Sequence, residues 1–351
     1  MNKNNQALGI RGIQFVLVVS VLALLIWTGC TKKGAVIEAR SPIKIGFVLA
    51  TMNEERYAKD RDYFLEAAKA KGYEVEFASC NDKVDVQTAK VETLLSKKIR
   101  ALVIQPVNGE TASAIVQLAK REGVPVVSYD RLIRNADIDL YVTQDSFQVG
   151  VLQAEEAVRV VGDKGNYVIL MGEAGHSVAD EITRGNMSVL EKYPGIQVVV
   201  KQNHPKWSTA LALATVENAL TRQQNKIDAI LANNDGMALG ATQALTEQKL
   251  TGKVFVAGAD ADLAAIKNIV TGKQTMTVLK GIRPLAEAAV LAAGKLARGE
   301  AVASDAVSAN GYKNVPVVNT PVSKVTNALI QKEIIESGFH TAQAVYGTPG
   351  I

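Results

Sequence analysis

The feature that most constrains this chain is a repeat of short, uninterrupted apolar runs separated by stretches with helical spacing of apolar positions. Runs at 44–49, 74–79, 101–105 and 125–129 open the series. A half-exposed strand alternates apolar and polar residues, whereas a continuous run suits a strand covered on both faces. The pattern predicts βα units, a mostly parallel sheet and helices on either side of it. It then starts again, with runs at 166–171, 196–202, 227–232, 254–258 and 274–279 and helical spacing at 180–193, 207–222, 236–248 and 263–270. At 351 residues the chain is long enough for two cores of ordinary domain size. Two successive doubly wound sheets are therefore expected. The boundary falls at 141–150, where a short strand runs into a helix at 146–161; a helix at 284–298 and the tail at 315–338 can pack on either core.

The first thirty residues stand apart from this pattern. Lys3 and Arg11 precede an apolar stretch from 13 to 27, closed by Thr28, Gly29 and Cys30. A membrane-spanning helix needs about 20 apolar residues, so the stretch suits the core of an export signal. Small residues followed by Cys resemble a bacterial lipoprotein processing site, with Trp27 where that site usually has Leu. This reading makes 1–29 a signal peptide, Cys30 the lipidated first residue and 30–42 a tether; the alternative is an uncleaved anchor with Cys30 an incidental thiol. Cys80 is the only other cysteine, so a lipidated Cys30 leaves no partner for a disulfide.

Composition excludes several classes of function. The 39 basic and 35 acidic side chains give a net charge of +4, spread without a run of like charges, so neither a nucleic-acid stripe nor a basic membrane patch is indicated. His176, His204 and His340 lack the ligand spacing of a metal site. No Gly-x-Gly-x-x-Gly follows Leu49 and no Gly-Lys-Ser/Thr loop occurs, so the chain has no phosphate cradle for a nucleotide cofactor.

In open α/β sheets a ligand sits beyond the carboxyl ends of the strands. The residues there are polar: Asn53, Glu54, Glu55, Arg56 and Tyr57 after the first run, Asp130 and Arg131 after the fourth, then Trp207, then Asn233, Asn234 and Asp235, then Asp260 and Asp262, then Lys280. Carboxylates and amides bond vicinal hydroxyls, Arg and Lys supply fixed donors, and flat aromatic faces cover the C–H face of a sugar ring. Singly, each has a plainer use as a cap, turn or core anchor. Their joint position at successive strand ends points to a polyhydroxylated ligand.

The strings Glu55-Arg56-Tyr57-Ala58-Lys59-Asp60-Arg61-Asp62, Ser128-Tyr129-Asp130-Arg131, Asn225-Lys226-Ile227-Asp228-Ala229, Gly258-Ala259-Asp260-Ala261-Asp262-Leu263-Ala264, Gln274-Thr275-Met276-Thr277-Val278-Leu279-Lys280 and Gly338-Phe339-His340 carry a resemblance to a known family. From Lys44 to about His340 the chain resembles the periplasmic sugar-binding proteins of ABC importers, above all their D-xylose-binding branch. The resemblance implies the type I fold of that family, two α/β lobes joined by a hinge of three chain crossings that close over one monosaccharide. The first lobe would hold 43–145 with a return segment at 281–312, and the second 146–280 with a tail at 313–345. Arg56, Tyr57, Asp130 and Arg131 would bind the sugar from the first lobe, and Trp207, Asn234, Asp260 and Lys280 from the second lobe or the hinge. After the strand at 166–171 the branch has an Asp-Asn-Asn type cluster that contacts hydroxyls. Here an ungapped alignment puts Ser177, Val178 and Ala179 in those places, which implies either an altered choice of sugar or Asp180 moved in by a shift in the helix start.

The resemblance also implies a binding protein without catalytic residues or cofactor, exported and held by lipid in the periplasm or on the outer face of the cytoplasmic membrane. Its partner would be the membrane permease of an importer or, alternatively, a histidine kinase or chemoreceptor that reads the same closure. A remoter reading takes Gly175-His176-Ser177-Val178-Ala179 as a nucleophile elbow, with Ser177 and His340 in an α/β-hydrolase. The expected fate of the N-terminus is directly testable. Cys30→Ser abolishes incorporation of a lipid label and blocks signal removal; a variant that is still labelled and membrane-held refutes the lipoprotein assignment.

Overall fold

The computed structural model describes residues 42–304 and 306–347. The expected signal segment 1–29, Cys30 and the expected tether up to residue 41 lie outside the described residues. The first half builds β1 (Lys44–Leu49), α1 (Glu55–Ala70), β2 (Glu74–Ser79), α2 (Val84–Ser96), β3 (Ala101–Ile104), α3 (Ser113–Arg121), β4 (Val126–Tyr129) and β5 (Leu140–Gln144). The second builds α4 (Ser146–Val161), β6 (Lys164–Met171), α5 (Ser177–Leu190), β7 (Gly195–Asn203), α6 (Thr209–Arg222), β8 (Ala229–Ala232), α7 (Asp235–Glu247), β9 (Phe255–Ala257), α8 (Leu263–Val270) and β10 (Met276–Lys280). Then follow α9 (Ile282–Ala297), β11 (Ala306–Ala309), β12 (Asn314–Thr320), β13 (Val322–Thr326) and the short α10 (Ala342–Tyr346).

The strands form two sheets, ordered β11-β12-β5-β4-β3-β1-β2 and β13-β10-β9-β8-β6-β7. Set aside the late strands and the two orders match: β2-β1-β3-β4-β5 in one lobe and β7-β6-β8-β9-β10 in the other, all parallel. Each lobe thus has a switch point beside its first strand, where ligands of doubly wound sheets collect. Of the strands expected from continuous apolar runs, β3, β4, β8 and β9 are buried throughout, whereas β2 and β7 lie at the sheet edges and are only partly buried. Separate apolar cores fill the two sides of each sheet, one of them built on the stacked rings of Phe47 and Phe64, 3.9 Å apart.

The tail is where the structure departs from expectation. The resemblance places the segment after 312 in the second lobe, yet β12 pairs in parallel with β5 of the first sheet, and β11 folds back on β12. Only after Pro321 does the chain cross, so that β13 pairs antiparallel with β10. The cause is edge coverage: β5 and β10 each end a parallel series, and the tail supplies one strand to each exposed edge. The helix at 284–298, which periodicity alone could not place, packs as α9 against α1 and the first sheet. The chain passes between lobes at Asp145, Gly281 and Pro321. These passages are adjacent: the Asp145 amide donates to the Thr320 carbonyl at 3.3 Å, and a side chain on Gly281 would meet the Pro321 carbonyl at 3.9 Å.

Two glycines set the position of α5, whose N-terminus faces the first lobe. Gly150 on α4 and Gly185 on α5 let the two helices touch backbone to backbone; a Cβ at Gly150 would lie 1.9 Å from the Ile182 carbonyl oxygen, and one at Gly185 would lie 2.1 Å from that of Phe147. No rotamer change relieves a clash with backbone. Gly150→Ala is expected to destabilise the fold by about 1–3 kcal/mol, read as a lowered midpoint in urea unfolding. An unchanged midpoint would show that the crossing is slack.

Candidate functional site

The polar strand ends of both lobes converge on one cavity, lined from the first lobe by Glu54, Arg56, Tyr57, Asp130 and Arg131, and from the second by His176, Val178, Trp207, Asn233, Asn234, Asp260 and Lys280. Arg56 lies in the first turn of α1, fully enclosed. Its Nε donates to Asp60 one turn along at 3.2 Å, and its Nη1 lies 3.4 Å from Asp130 and 3.5 Å from Asp260. Asp60 is itself buried behind the cavity and accepts the Tyr129 hydroxyl. Burial pushes the Asp60 carboxyl up, while Arg56 and Tyr129 pull it down.

Asp130 follows β4 with a φ of 62°, and Asp260 follows β9 with a φ of 104°. Such backbone is unfavourable for non-glycine residues and persists where the surroundings enforce it. At Asp130 the enforcement is visible: its carbonyl accepts the Tyr141 hydroxyl at 2.8 Å and the Thr143 hydroxyl at 3.1 Å, and its Oδ2 accepts the Gln105 amide at 2.9 Å. Burial pushes the Asp130 carboxyl up, but Arg56, Lys280 and Arg131 outweigh it and hold the group far below the usual carboxylate range. Lys280, at the end of β10, stands 3.4 Å from Asp260 and 4.0 Å from Asp130. Arg131 donates to the Tyr57 hydroxyl at 2.9 Å and the Pro106 carbonyl at 3.3 Å.

On the second lobe, Trp207 ends a 3₁₀ turn over Pro205–Trp207, with its ring laid on Gly172, where a Cβ would come within 2.5 Å of it. The His176 ring meets it edge to face, centroids 5.2 Å apart. Asn234 caps α7, its Oδ1 accepting the Met237 amide at 2.9 Å. The Asn233 side-chain Oδ1 accepts the Gly172 amide at 3.0 Å. That leaves its Nδ2 unpaired, and the same holds for Glu54 Oε2, Arg56 Nη2, Asp130 Oδ1, Arg131 Nε, Asp260 Oδ1 and both ring nitrogens of His176, all sealed from solvent without a hydrogen-bond partner. Ion pairing offsets the charge on Arg56, Asp130 and Asp260, but the directional hydrogen bonds are left to a ligand with many donors and acceptors.

All eight residues singled out from the sequence line this cavity. Four lining residues were not among them. Glu54 and Asn233 were read as polar strand-end residues but were not among the eight assigned to the sugar. His176 and Val178 come from the segment expected to contribute Ser177, Val178 and Ala179. Because α5 begins at Ser177, earlier than the helix expected at 180, Ser177 faces the first lobe and accepts the Leu132 amide at 2.9 Å, while Ala179 turns into the core. The nucleophile-elbow reading fails on the same geometry: Ser177 bonds backbone, and His340 donates from Nε2 to the Ala261 carbonyl at 2.8 Å. The lobes also meet around the cavity, through Arg134 and Asp180 at 3.2 Å and through the Leu263 amide and Glu55 at 3.1 Å.

Two repeated α/β lobes with a polar cavity between them define a two-lobed ligand-binding protein. The chain belongs to the periplasmic binding protein family: residues 45–301 match its periplasmic binding protein domain. It is 42% identical over 307 residues to a D-xylose-binding periplasmic protein of Haemophilus influenzae, spanning 87% of this chain and 92% of that protein. Its identity to the D-xylose-binding periplasmic protein of Escherichia coli is 41% over 302 residues, spanning 85% and 91%. Among solved structures, an ABC transporter solute-binding protein from Clostridium phytofermentans with bound β-D-glucose superposes with a TM-score of 0.80 at 27% identity, covering 86% of this chain and 99% of that one.

Behind the site, Asp235 accepts from Thr277 at 2.9 Å, Gln274 at 3.1 Å and the Asp262 amide at 2.9 Å. Burial, then the carboxylates of Asp260 and Glu55, push Asp262 up to about 7 from 3.8. A raised carboxyl favours the protonated fold, so its contribution to stability is full below 3.8 and is lost as pH rises through about 7. The thermal midpoint of the wild type is therefore expected to fall more between pH 5 and pH 8 than that of Asp262→Asn. Parallel pH profiles for the two proteins would contradict this.

Proposed function

We propose that this protein binds a monosaccharide between its lobes, D-xylose above other sugars, and presents it to the permease of an ABC importer while held by lipid on Cys30 at the outer face of the cytoplasmic membrane. The observation that carries the reading is the set of unpaired, solvent-sealed polar atoms facing one cavity from both lobes. A pyranose offers alternating donors and acceptors around a ring with apolar C–H faces, matching a site of carboxylates, guanidiniums and amides beside one indole. The relatives named D-xylose-binding support the pentose. The neighbour with bound β-D-glucose supports an ABC transporter role and a monosaccharide ligand.

Binding, and not turnover, is the use these carboxylates favour. A glycosidase needs one carboxyl able to give a proton, whereas Arg56 and Lys280 keep Asp130 ionised and suited to accepting from hydroxyls. Neither lobe holds the whole set of partners, so a ligand satisfied by both favours the closed arrangement over the open one. A thermal-shift screen of the processed chain against pentoses and hexoses tests the reading. Ligand at 100 times its Kd adds about 2.7 kcal/mol; xylose is expected to raise the midpoint by several degrees and more than ribose, arabinose or glucose at equal concentration. No shift with any pentose would refute it.

A further inference from the structure

Two of the acidic strand-end residues, Glu55 after β1 and Asp262 after β9, do not line the cavity. Asp262 stands at the N-cap position of α8, yet its side chain makes no capping bond. The first amides of a helix have no partner within it and need one from outside. For α8 that partner comes from the other lobe: Glu55 Oε2 accepts the Leu263 amide at 3.1 Å. Glu55 is itself the first residue of α1, so one carboxylate lies at two helix N-termini, where both dipoles favour a negative charge. Its neighbours hold it there. Lys59, one turn along α1, reaches Glu55 Oε1 at 3.5 Å, and the same ammonium sits 3.9 Å over the ring of Phe339. His340 Nε2 stands 3.9 Å from Oε1 while donating to the Ala261 carbonyl. Phe339 and His340 belong to the second lobe, because the tail around them packs on Ile266 and Ile269 of α8 through Ile330, Ile334 and Val345. An acid in a first turn needs none of these contacts to stabilise its own helix, so the stability of α1 leaves the reach across the lobe boundary unexplained.

We propose that Glu55 is a positioning residue for ligand capture: it caps α8 from the opposite lobe only when the lobes are closed, and so slows the release of whichever sugar the cavity holds. The assignment rests on the sugar-binding reading above. Opening the lobes carries Glu55 away from Leu263 and Lys59 away from Phe339 in one movement, and water replaces the carboxylate at the helix end. A contact made in one arrangement and absent from the other shifts the balance toward the first. Because Glu55 lies outside the cavity, its contribution is the same for every sugar. That separates it from Arg56, the next residue in the chain, whose guanidinium faces the cavity.

The test is calorimetric titration of the processed protein with xylose, arabinose, ribose and glucose, joined to stopped-flow measurement of association and release. Glu55→Ala is expected to raise the Kd of each sugar that binds by a common factor of about 3- to 30-fold, the range for a lost helix cap, through faster release at an unchanged association rate. Glu55→Gln keeps an oxygen that can accept the Leu263 amide and is expected to retain most of the affinity. Lys59→Met keeps the stem without the charge and is expected to give a smaller, equally uniform loss. Unchanged release in Glu55→Ala, a loss that differs among the sugars, or an equal loss in Glu55→Gln overturns the assignment; if Glu55→Ala does not fold, unchanged release in Lys59→Met does so. A folded wild type that binds none of the four refutes the sugar reading, and the assignment is then judged by hydrogen exchange at the Leu263 amide in the ligand-free chain: faster exchange in Glu55→Ala supports the cap across the lobes, and an unchanged rate overturns it.

Discussion

The site depends on one guanidinium shared between lobes. Arg56 comes from the first lobe, yet it meets Asp130 of its own lobe and Asp260 of the other at almost equal distances, with Asp60 fixing it from behind. Enclosing such charges costs several kcal/mol per ion, and their mutual attraction roughly offsets that cost. The network therefore contributes position more than stability. Asp130 and Asp260 occupy matching places, each following the fourth strand of its lobe's series, each on positive-φ backbone. A single cation bridging two equivalent carboxylates is the point about which the lobes are arranged.

Around that point, buried polar side chains hold the strand ends in place. Gln153 on α4 donates to the Ala232 carbonyl at 2.8 Å and the Gly258 carbonyl at 2.9 Å, and accepts from Asn186 of α5 at 3.1 Å, so one amide ties the loops after β8 and β9 to the paired helices. Asp235 does the same for the segments near Asp262, Gln274 and Thr277. Gln105 holds Asp130 and donates nothing to the cavity itself. Residues that touch a ligand are fixed by others that do not, which is how a site of loops keeps the geometry of a rigid element.

Most of the site was legible because the rule that exposes it is local: polar residues at the end of a buried parallel strand or in the stretch that follows it face the ligand side of the sheet. Arg56, Asp130, Asp260 and Lys280 follow from that rule. What was not legible depends on helix phase and on distant pairing. Whether Ser177 or His176 turns inward depends on the residue at which α5 begins, and no capping side chain marks it, since His176 makes no cap bond. The placement of β12 in the first sheet depends on an edge left by β5, far back in the chain, and its partly buried sequence carries no sign of which edge it will cover. Support residues such as Gln153 were invisible for a third reason. A buried amide inside a helix looks like a surface one until its partners are known.

The late strands have a consequence for the order of assembly. β5 receives its outer partner when Tyr141 pairs with Val317, and the first lobe gains α9 only after the whole second series has been made. β10 likewise waits for Val325. Neither lobe can complete its sheet as it leaves the ribosome, and pairings this distant in sequence form slowly because loop closure precedes any stabilising contact. The chain is thus obliged to mature as one interleaved unit. Each sheet gains its outer strand only once the last part of the chain is available to pair with it.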